Sequence, residues 1–144
     1  PAFRPDLGDI KDDITVSVVC GRNKKLYKNL SKFVKKNKLE DSFIIYGFVS
    51  NMDILIDASD IAISRAGATS ITECLYKNIP LLFREKLYIN EKLNEELFIK
   101  NNLALKLSKD KLADIEVSNL IKNPKILEDI RTSHKREYVT TATC

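Results

Sequence analysis

Short apolar segments alternate with helical segments along most of this chain of 144 residues. Segments 14–20, 43–46 and 61–64 are rich in β-branched residues and have the length of buried strands, and segments 80–83 and 104–107 continue the series. Because the connections are short, consecutive strands must run in the same direction, with a helix crossing between them. The alternation therefore predicts an α/β fold in which a parallel sheet is covered by helices on both faces.

The segments between the strands carry apolar residues at helical spacing. Helices are predicted over 24–38, 53–58, 70–78, 90–101, 109–113, 117–122 and 125–138. The residues expected to face the core are Leu26, Leu30, Phe33 and Val34 on the first of these helices and Leu93, Leu97 and Phe98 on the fourth. We expect an irregular lead-in over 1–13, one domain over 14–138 and a flexible tail over 139–144.

Composition narrows the class of protein. The length suits a single domain with its own core, and no run approaches the ~20 apolar residues that a membrane span needs. The three cysteines are an odd number without metal-ligand spacing, so we expect a reducing, cytoplasmic compartment and no metal. His134, the only histidine, is expected to be solvated, and no catalytic constellation is available to this chain.

Positive charge is concentrated in one segment, although the formal net charge is only +4. The lysines are Lys24, Lys25, Lys28, Lys32, Lys35, Lys36 and Lys38. They could meet anionic lipid, or they could form a solvated helix face. No aromatic residues interleave with them on a strand platform, so no nucleic-acid partner is expected.

The segment Ile61–Glu73 (IAISRAGATSITE) contains the strongest candidate site. A strand turns at Gly67 into a helix that is expected to open at Thr69 or Ser70. The first N–H groups of a helix have no internal partners, and they carry partial positive charge that suits a phosphate. Glu73 could then accept hydrogen bonds from sugar hydroxyls. The alternative is a capped helix in which Thr69 or Ser70 caps and Glu73 completes a capping box.

Further candidates follow the other predicted strands, at the sheet edge where ligands of α/β proteins bind. Arg22 could bind a phosphate, or it could belong to a surface turn. Phe48, with Val49, could seat a flat base, or it could pack on the core. Arg65 could contact a phosphate, or it could form a salt bridge. Asn90, Glu91 and Asn94 could bind a polyhydroxyl ligand, or they could cap a helix.

Three pieces of the chain resemble a known family in their order as well as in their residues: VVCGRNKKL, YGFVSNMDILIDASDIAISRAGATSITECLYKNIPLL and NEKLN. From about Ile14 to Leu107 the chain resembles the C-terminal, donor-binding half of a family 28 glycosyltransferase of GT-B architecture. The first piece and YGFVSNMD are most similar to diacylglycerol glycosyltransferases. The SRAGATS turn is more similar to the peptidoglycan N-acetylglucosaminyltransferase that forms lipid II.

The resemblance implies a Rossmann-like three-layer sandwich that holds a UDP-sugar. It implies that Phe48 and Val49 line the uracil pocket and that Glu73 holds the ribose hydroxyls. The residues implied to face the diphosphate are Gly67, Ala68, Thr69 and Ser70. The residues implied to contact the donor hexose are Asn90 and Glu91, with Asn94 matching the asparagine that follows them in the family.

At the level of function, the resemblance implies the donor domain of an inverting, metal-independent hexosyltransferase that acts on a membrane lipid acceptor. Its partners would be the UDP-sugar, an acceptor-binding half or subunit, and the inner face of the membrane, where the enzyme would be peripheral. Alternatives are a donor-binding subunit, a non-catalytic nucleotide-sugar-binding module, the lipid II enzyme's donor domain, and an unrelated receiver or flavodoxin-like domain.

Overall fold

A computed structural model describes residues 14–65, 67–84, 89–107 and 113–143. The chain divides into two compact units between Met52 and Asp53. The elements in chain order are β1 (Val16–Val19), α1 (Lys24–Lys36), β2 (Phe43–Tyr46), α2 (Met52–Asp57), β3 (Ala62–Ser64), α3 (Ala68–Tyr76), β4 (Leu81–Phe83), α4 (Ile89–Lys100), β5 (Ala104–Lys106), α5 (Ala113–Lys122) and α6 (Pro124–Thr143).

Every recorded strand pair is parallel, which confirms the predicted α/β class. In the first unit β1 pairs with β2, in the register Val16 to Phe43. In the second unit the strand order is β3-β4-β5, with Ala62 opposite Leu81 and Leu81 opposite Ala104. The strands thus form two sheets, whereas the sequence predicted a single sheet.

The predicted strands and most of the predicted helices are present, with shifted ends. Helix α3 begins at Ala68, before the predicted start, and α5 begins at Ala113. Pro124 is the first residue of α6, where its missing N–H costs nothing. Helix α6 then continues to Thr143, through positions that the sequence assigned to the tail. The predicted lead-in at 1–13 and most of the predicted helix at 109–113 lie outside the described residues.

Strand β4 forms the centre of the second unit. Leu81, Leu82 and Phe83 are all buried, as expected for a parallel strand covered on both faces. Ile71 and Cys74 of α3 join the same core cluster. The central position of β4 explains why this strand has no polar residue.

Helix α4 packs with a face that the sequence did not predict. Leu93 and Leu97 were expected to point inward, but they are 71% and 57% exposed. The buried residues are instead Glu91, Glu95 and Phe98, which lie on one stripe at spacings of four and three residues. The expectation was right for Phe98 and wrong for the two leucines, because α4 carries apolar side chains on opposite faces and only Phe98 joins the core.

Two contacts hold this face of α4 in place. The rings of Phe98 and Phe83 meet edge to face, with centroids 6.3 Å apart. Nζ of Lys106, at the end of β5, donates to Oε1 of Glu95 at 2.6 Å. The other oxygen of Glu95, Oε2, is buried and has no hydrogen-bond partner among the described residues. The ion pair with Lys106 therefore offsets much of the cost of burying this carboxylate.

His134 is buried, which corrects the expectation that it is solvated. It follows Leu127 and Ile130 on the inward stripe of α6, and its Nε2 lies 2.5 Å from the carbonyl oxygen of Leu103. Because a carbonyl only accepts, Nε2 carries the proton and Nδ1 has none. Nδ1 is buried without a partner among the described residues. Burial, and then the charge of Arg131, lower the pKa of His134 from its ordinary 6.5, against the opposing effect of the Leu103 bond.

Replacing Lys106 with Met should destabilise the fold, because the buried Glu95 carboxylate loses its cationic partner. We expect a loss of about 1–3 kcal/mol in the free energy of unfolding, measured by urea denaturation. Lys100→Met, at an exposed lysine of α4, the helix that carries Glu95, is the matched control and should stay close to the parent. Equal stability of the Lys106 variant and this control would show that the ion pair contributes nothing.

Stability should fall as the pH is lowered below about 6.5, because His134 binds a proton more readily in the unfolded chain than in the folded one. The stabilisation is fully present above the unfolded pKa and is lost as the pH drops toward the lower folded pKa. The slope approaches about 1.4 kcal/mol per pH unit at most. Urea denaturation from about pH 8 to pH 5 measures it.

His134→Gln is the control for this pH dependence, because its side-chain amide can still donate to Leu103 but does not titrate. Its stability should change less with pH than that of the parent over this range. His134 is the only histidine in the chain, so a parallel fall in both proteins would exclude it as the cause.

Candidate functional site

The turn between β3 and α3 leaves a helix N-terminus without a side-chain cap. Gly67 is the N-cap residue, with φ −71° and ψ 138°, and as a glycine it supplies no side-chain cap. The alternative in which Thr69 or Ser70 caps the helix and Glu73 completes a capping box is therefore wrong. Both hydroxyl residues lie inside the first turn, where the helix N–H groups carry partial positive charge that suits an anion.

Gly67 supplies space rather than an unusual backbone conformation. Its φ is negative, so any L-residue could adopt this backbone. A Cβ added here would have the carboxylate oxygen Oε1 of Glu91 as its near neighbour, at 3.9 Å. The open side of Gly67 therefore faces α4, and the first turn of α3 and the Glu91 carboxylate border the same space.

Glu91 is the buried acidic residue of this site, and its residue surface is only 8% exposed. It lies in the first turn of α4, and Asn94, three residues later, is half-buried. Both side chains also interact within the chain. The side chain of Asn90, predicted to act with them, lies outside the described part of the chain. The structure thus brings the predicted Glu91 to the predicted Gly67.

Glu73 lies in the second turn of α3 and is half-buried. Its charge, after the larger effect of burial, raises the pKa of the neighbouring Cys74 thiol to about 11. Cys74 is therefore a protonated core thiol and has no nucleophilic role. Glu73 itself is a hydrogen-bond acceptor one turn behind the open end of α3.

The remaining predicted residues of this turn differ in exposure. Thr69 is exposed and Ser70 is half-buried. Arg65 follows β3 directly, is exposed, and interacts within the chain. Ala68 is the first residue of α3, and its side chain lies outside the described part. A cation and two hydroxyl groups therefore stand near the open helix end in sequence.

In the first unit, Arg22 and Phe48 form a pair that the sequence did not predict. The guanidinium carbon of Arg22 lies 5.1 Å from the centroid of the Phe48 ring, within cation–π distance. Phe48 is 64% exposed, so the alternative that it packs on the core is wrong. Val49, next to it, is half-buried. Arg22 and Phe48 were predicted as separate contacts, and their stacking could not be derived from residues so far apart in sequence.

Glu95 was also missed by sequence reasoning. It lies one helical turn after Glu91 on the same buried face of α4. The four-residue spacing of the two glutamates was a signal that both could face inward. Its effect on the site is indirect, because Glu95 and Lys106 hold the helix that carries Glu91.

Three further findings concern the described residues. Within the described ranges, no group of three or more histidine, cysteine, aspartate or glutamate side chains could hold a metal ion. His134 is committed to a backbone carbonyl in the core. None of the described helices has the length and apolar character that are needed to cross a membrane.

Comparison with known proteins places these features in a family. The sequence model described as "Glycosyltransferase family 28 C-terminal domain" matches residues 4–135. The chain is 32% identical over 102 residues to a probable chloroplastic monogalactosyldiacylglycerol synthase of Nicotiana tabacum, covering 69% of this chain and 18% of that protein.

Bacterial relatives are matched over more of the chain. The processive diacylglycerol beta-glucosyltransferase of Bacillus subtilis is 26% identical over 127 residues, covering 88% of this chain and 33% of that protein. The Bacillus pumilus protein of the same name is 24% identical over 126 residues, covering 88% and 32%. The chain thus spans about a third of these Bacillus relatives.

The family match covers most of the chain, and its parallel α/β units agree with the Rossmann-like fold that the resemblance implied. The chain belongs to glycosyltransferase family 28, as a C-terminal domain of that family.

Proposed function

We propose that this chain is the UDP-sugar-binding domain of an inverting hexosyltransferase that glycosylates a membrane lipid. The observation that carries the proposal is the uncapped N-terminus of α3, where Gly67 opens toward the buried carboxylate of Glu91. An open helix end binds a diphosphate, and a carboxylate close to it binds sugar hydroxyls. The three relatives reported above are lipid glycosyltransferases by name, and this supports a lipid acceptor.

Each unit by itself offers residues that suit particular parts of the donor. In the first unit, the exposed Phe48 ring offers a face for uracil, and Arg22 lies over that ring. We therefore assign Arg22 to the base-binding surface, where the sequence had suggested a phosphate contact. In the second unit, the first turn of α3 binds the diphosphate and Glu73 accepts from the ribose hydroxyls. Glu91 contacts the hexose, together with Asn90 and Asn94.

The helix end also has a role in the transfer step. When the bond between the hexose and the diphosphate breaks, negative charge develops on the UDP leaving group. The open N–H groups of α3 and the Arg65 guanidinium stabilise that charge, so the proposal requires no metal ion. The catalytic base belongs to the acceptor-binding half. In the whole enzyme, the chain acts at the cytoplasmic face of a membrane.

One observation favours a second candidate function, a donor-binding subunit that pairs with a separate acceptor-binding partner. Leu93 and Leu97 form an exposed apolar stripe on α4, opposite the face that carries Glu91. Such a stripe is typical of a surface that another protein covers. A subunit of this kind would bind UDP alone but transfer hexose only after an acceptor-binding protein is added, which an activity assay with and without that protein distinguishes.

Glu73→Ala should weaken UDP binding by more than about tenfold, because the ribose hydroxyls lose a charged acceptor. Calorimetric titration with UDP, and with ADP and GDP for selectivity, measures the effect. Glu96→Ala removes an exposed carboxylate from α4 and is the matched control, which should bind UDP as the parent does. Parent-like affinity of the Glu73 variant would make the ribose assignment wrong, and no nucleotide binding by the parent chain would count against the whole proposal.

Gly67→Ala should keep the fold but lose ligand affinity. The backbone at Gly67 suits alanine, so we expect a free energy of unfolding that is unchanged or higher by about 0.4–1 kcal/mol. The added methyl group would occupy the space between α3 and Glu91, and should weaken UDP-sugar binding by about tenfold, or ~1.4 kcal/mol. Thermal unfolding and calorimetric titration separate the two effects. Loss of stability together with binding would assign Gly67 a structural role instead.

A further inference from the structure

Helix α1 carries a cationic face whose use the donor site does not explain. Its sequence, KKLYKNLSKFVKK, contains six lysines and no acidic residue. With a rotation of 100° per residue, all six lysines fall within one third of the helix circumference. Neutralising charges from the same helix are therefore absent, and the face is strongly positive.

The opposite side of α1 attaches the helix to its own unit. Val34 is buried, Leu30 is half-buried, and the helix packs against β2. The lysine face therefore points away from the strand on which the helix rests. This arrangement leaves the charged face open to a partner.

An exposed apolar stripe lies between the buried side and the lysine face. Leu26 and Phe33 are seven residues apart, which places them two turns apart on the same line of the helix. They are 41% and 45% exposed, although the sequence predicted both to face the core. Lys25 and Lys32 precede them in sequence and lie on the side of the lysine face that is nearer to this stripe.

We propose that this α1 surface, formed by Leu26, Phe33 and the adjoining lysines, docks the chain on an anionic lipid bilayer. Lysine ammonium groups attract the phosphates of acidic headgroups, while leucine and phenylalanine enter the boundary between headgroups and acyl chains. The sign and one-sided distribution of the charge select an anionic surface. The apolar stripe favours a lipid surface over a nucleic acid, because a phosphate backbone offers no apolar region into which these side chains could insert. The inference extends the proposed function, since a lipid acceptor requires an enzyme that reaches the membrane.

Sedimentation of the chain with vesicles tests the proposal. One vesicle preparation contains phosphatidylcholine alone, and the other an equimolar mixture with phosphatidylglycerol. We expect binding to the anionic vesicles only. Each lysine near the surface contributes about fivefold to the affinity, so Lys25→Glu/Lys32→Glu should weaken binding by about 25-fold or more.

The matched control is Lys122→Glu/Lys125→Glu, at exposed positions of α5 and α6. Each lysine-to-glutamate change lowers the net charge by two units, so both double variants have a formal net charge of zero instead of +4. The control should bind anionic vesicles almost as the parent does. An equal loss in both variants would show that overall charge, and not α1, governs binding, and would overturn the proposal.

Leu26→Ser/Phe33→Ser tests the apolar contribution. It should bind anionic vesicles at low salt but lose binding at physiological salt, where screening weakens the lysines and apolar contact matters more. A last experiment measures binding of the chain to anionic vesicles in competition with transfer RNA. Preferential binding of the RNA would overturn the assignment to lipid.

Failure of this inference can be separated from failure of the proposed function. Calorimetric titration of Lys25→Glu/Lys32→Glu with UDP should give the affinity of the parent, because α1 lysines do not belong to the donor site. If the parent chain binds UDP but does not sediment with anionic vesicles, the result would contradict only the proposal that the α1 surface docks on a membrane.

Discussion

The inward face of α4 is the constraint on which the candidate site depends. Phe98 anchors the helix through its edge-to-face contact with Phe83, at the centre of the second unit. Glu95 adds an ion pair to Lys106 on β5. With the rotation of the helix set by these two contacts, Glu91 must face the turn at Gly67. A helix rotated to bury Leu93 and Leu97 would carry the same residues but turn Glu91 away.

Burial of charge follows the same logic throughout the second unit. The carboxylate of Glu95 is tolerated because Lys106 reaches it, and the imidazole of His134 is tolerated because it donates to the Leu103 carbonyl. Glu91 is buried close to the N-terminus of α3, where the partial positive charge of the helix reduces the cost of burying a carboxylate. Each of these polar groups would be costly alone, and each occurs where a neighbour reduces that cost.

The two units offer different kinds of interaction to a ligand or partner. The second unit offers fixed backbone dipoles and a buried carboxylate, which suit the diphosphate and hydroxyl groups of a nucleotide sugar. The first unit offers an exposed aromatic ring under a guanidinium, and beside it a helix whose charge and apolar stripe suit a lipid surface. A donor domain that serves a lipid acceptor would use both kinds of surface.

Local sequence was sufficient for the parts of the fold that depend on local physics. The alternation of β-branched runs with helical periodicity predicted the five strands and their parallel direction, and the glycine after β3 located the turn that opens α3. Two of the site residues proposed from the sequence, Gly67 and Glu91, also lie close together in the structure. These features depend on backbone propensity and chain connectivity, which a single sequence contains.

Tertiary packing decided what the sequence left open or led us to predict wrongly. The sequence predicted Phe98, Leu93 and Leu97 all to face the core, and packing buried only Phe98. The burial of His134 depended on a carbonyl 31 residues away, and the stacking of Arg22 on Phe48 on two loops that only the fold brings together. Propensity and periodicity describe neighbours along the chain. Which of two plausible faces is buried depends on the free energy of contacts between distant segments, and only the folded structure shows that.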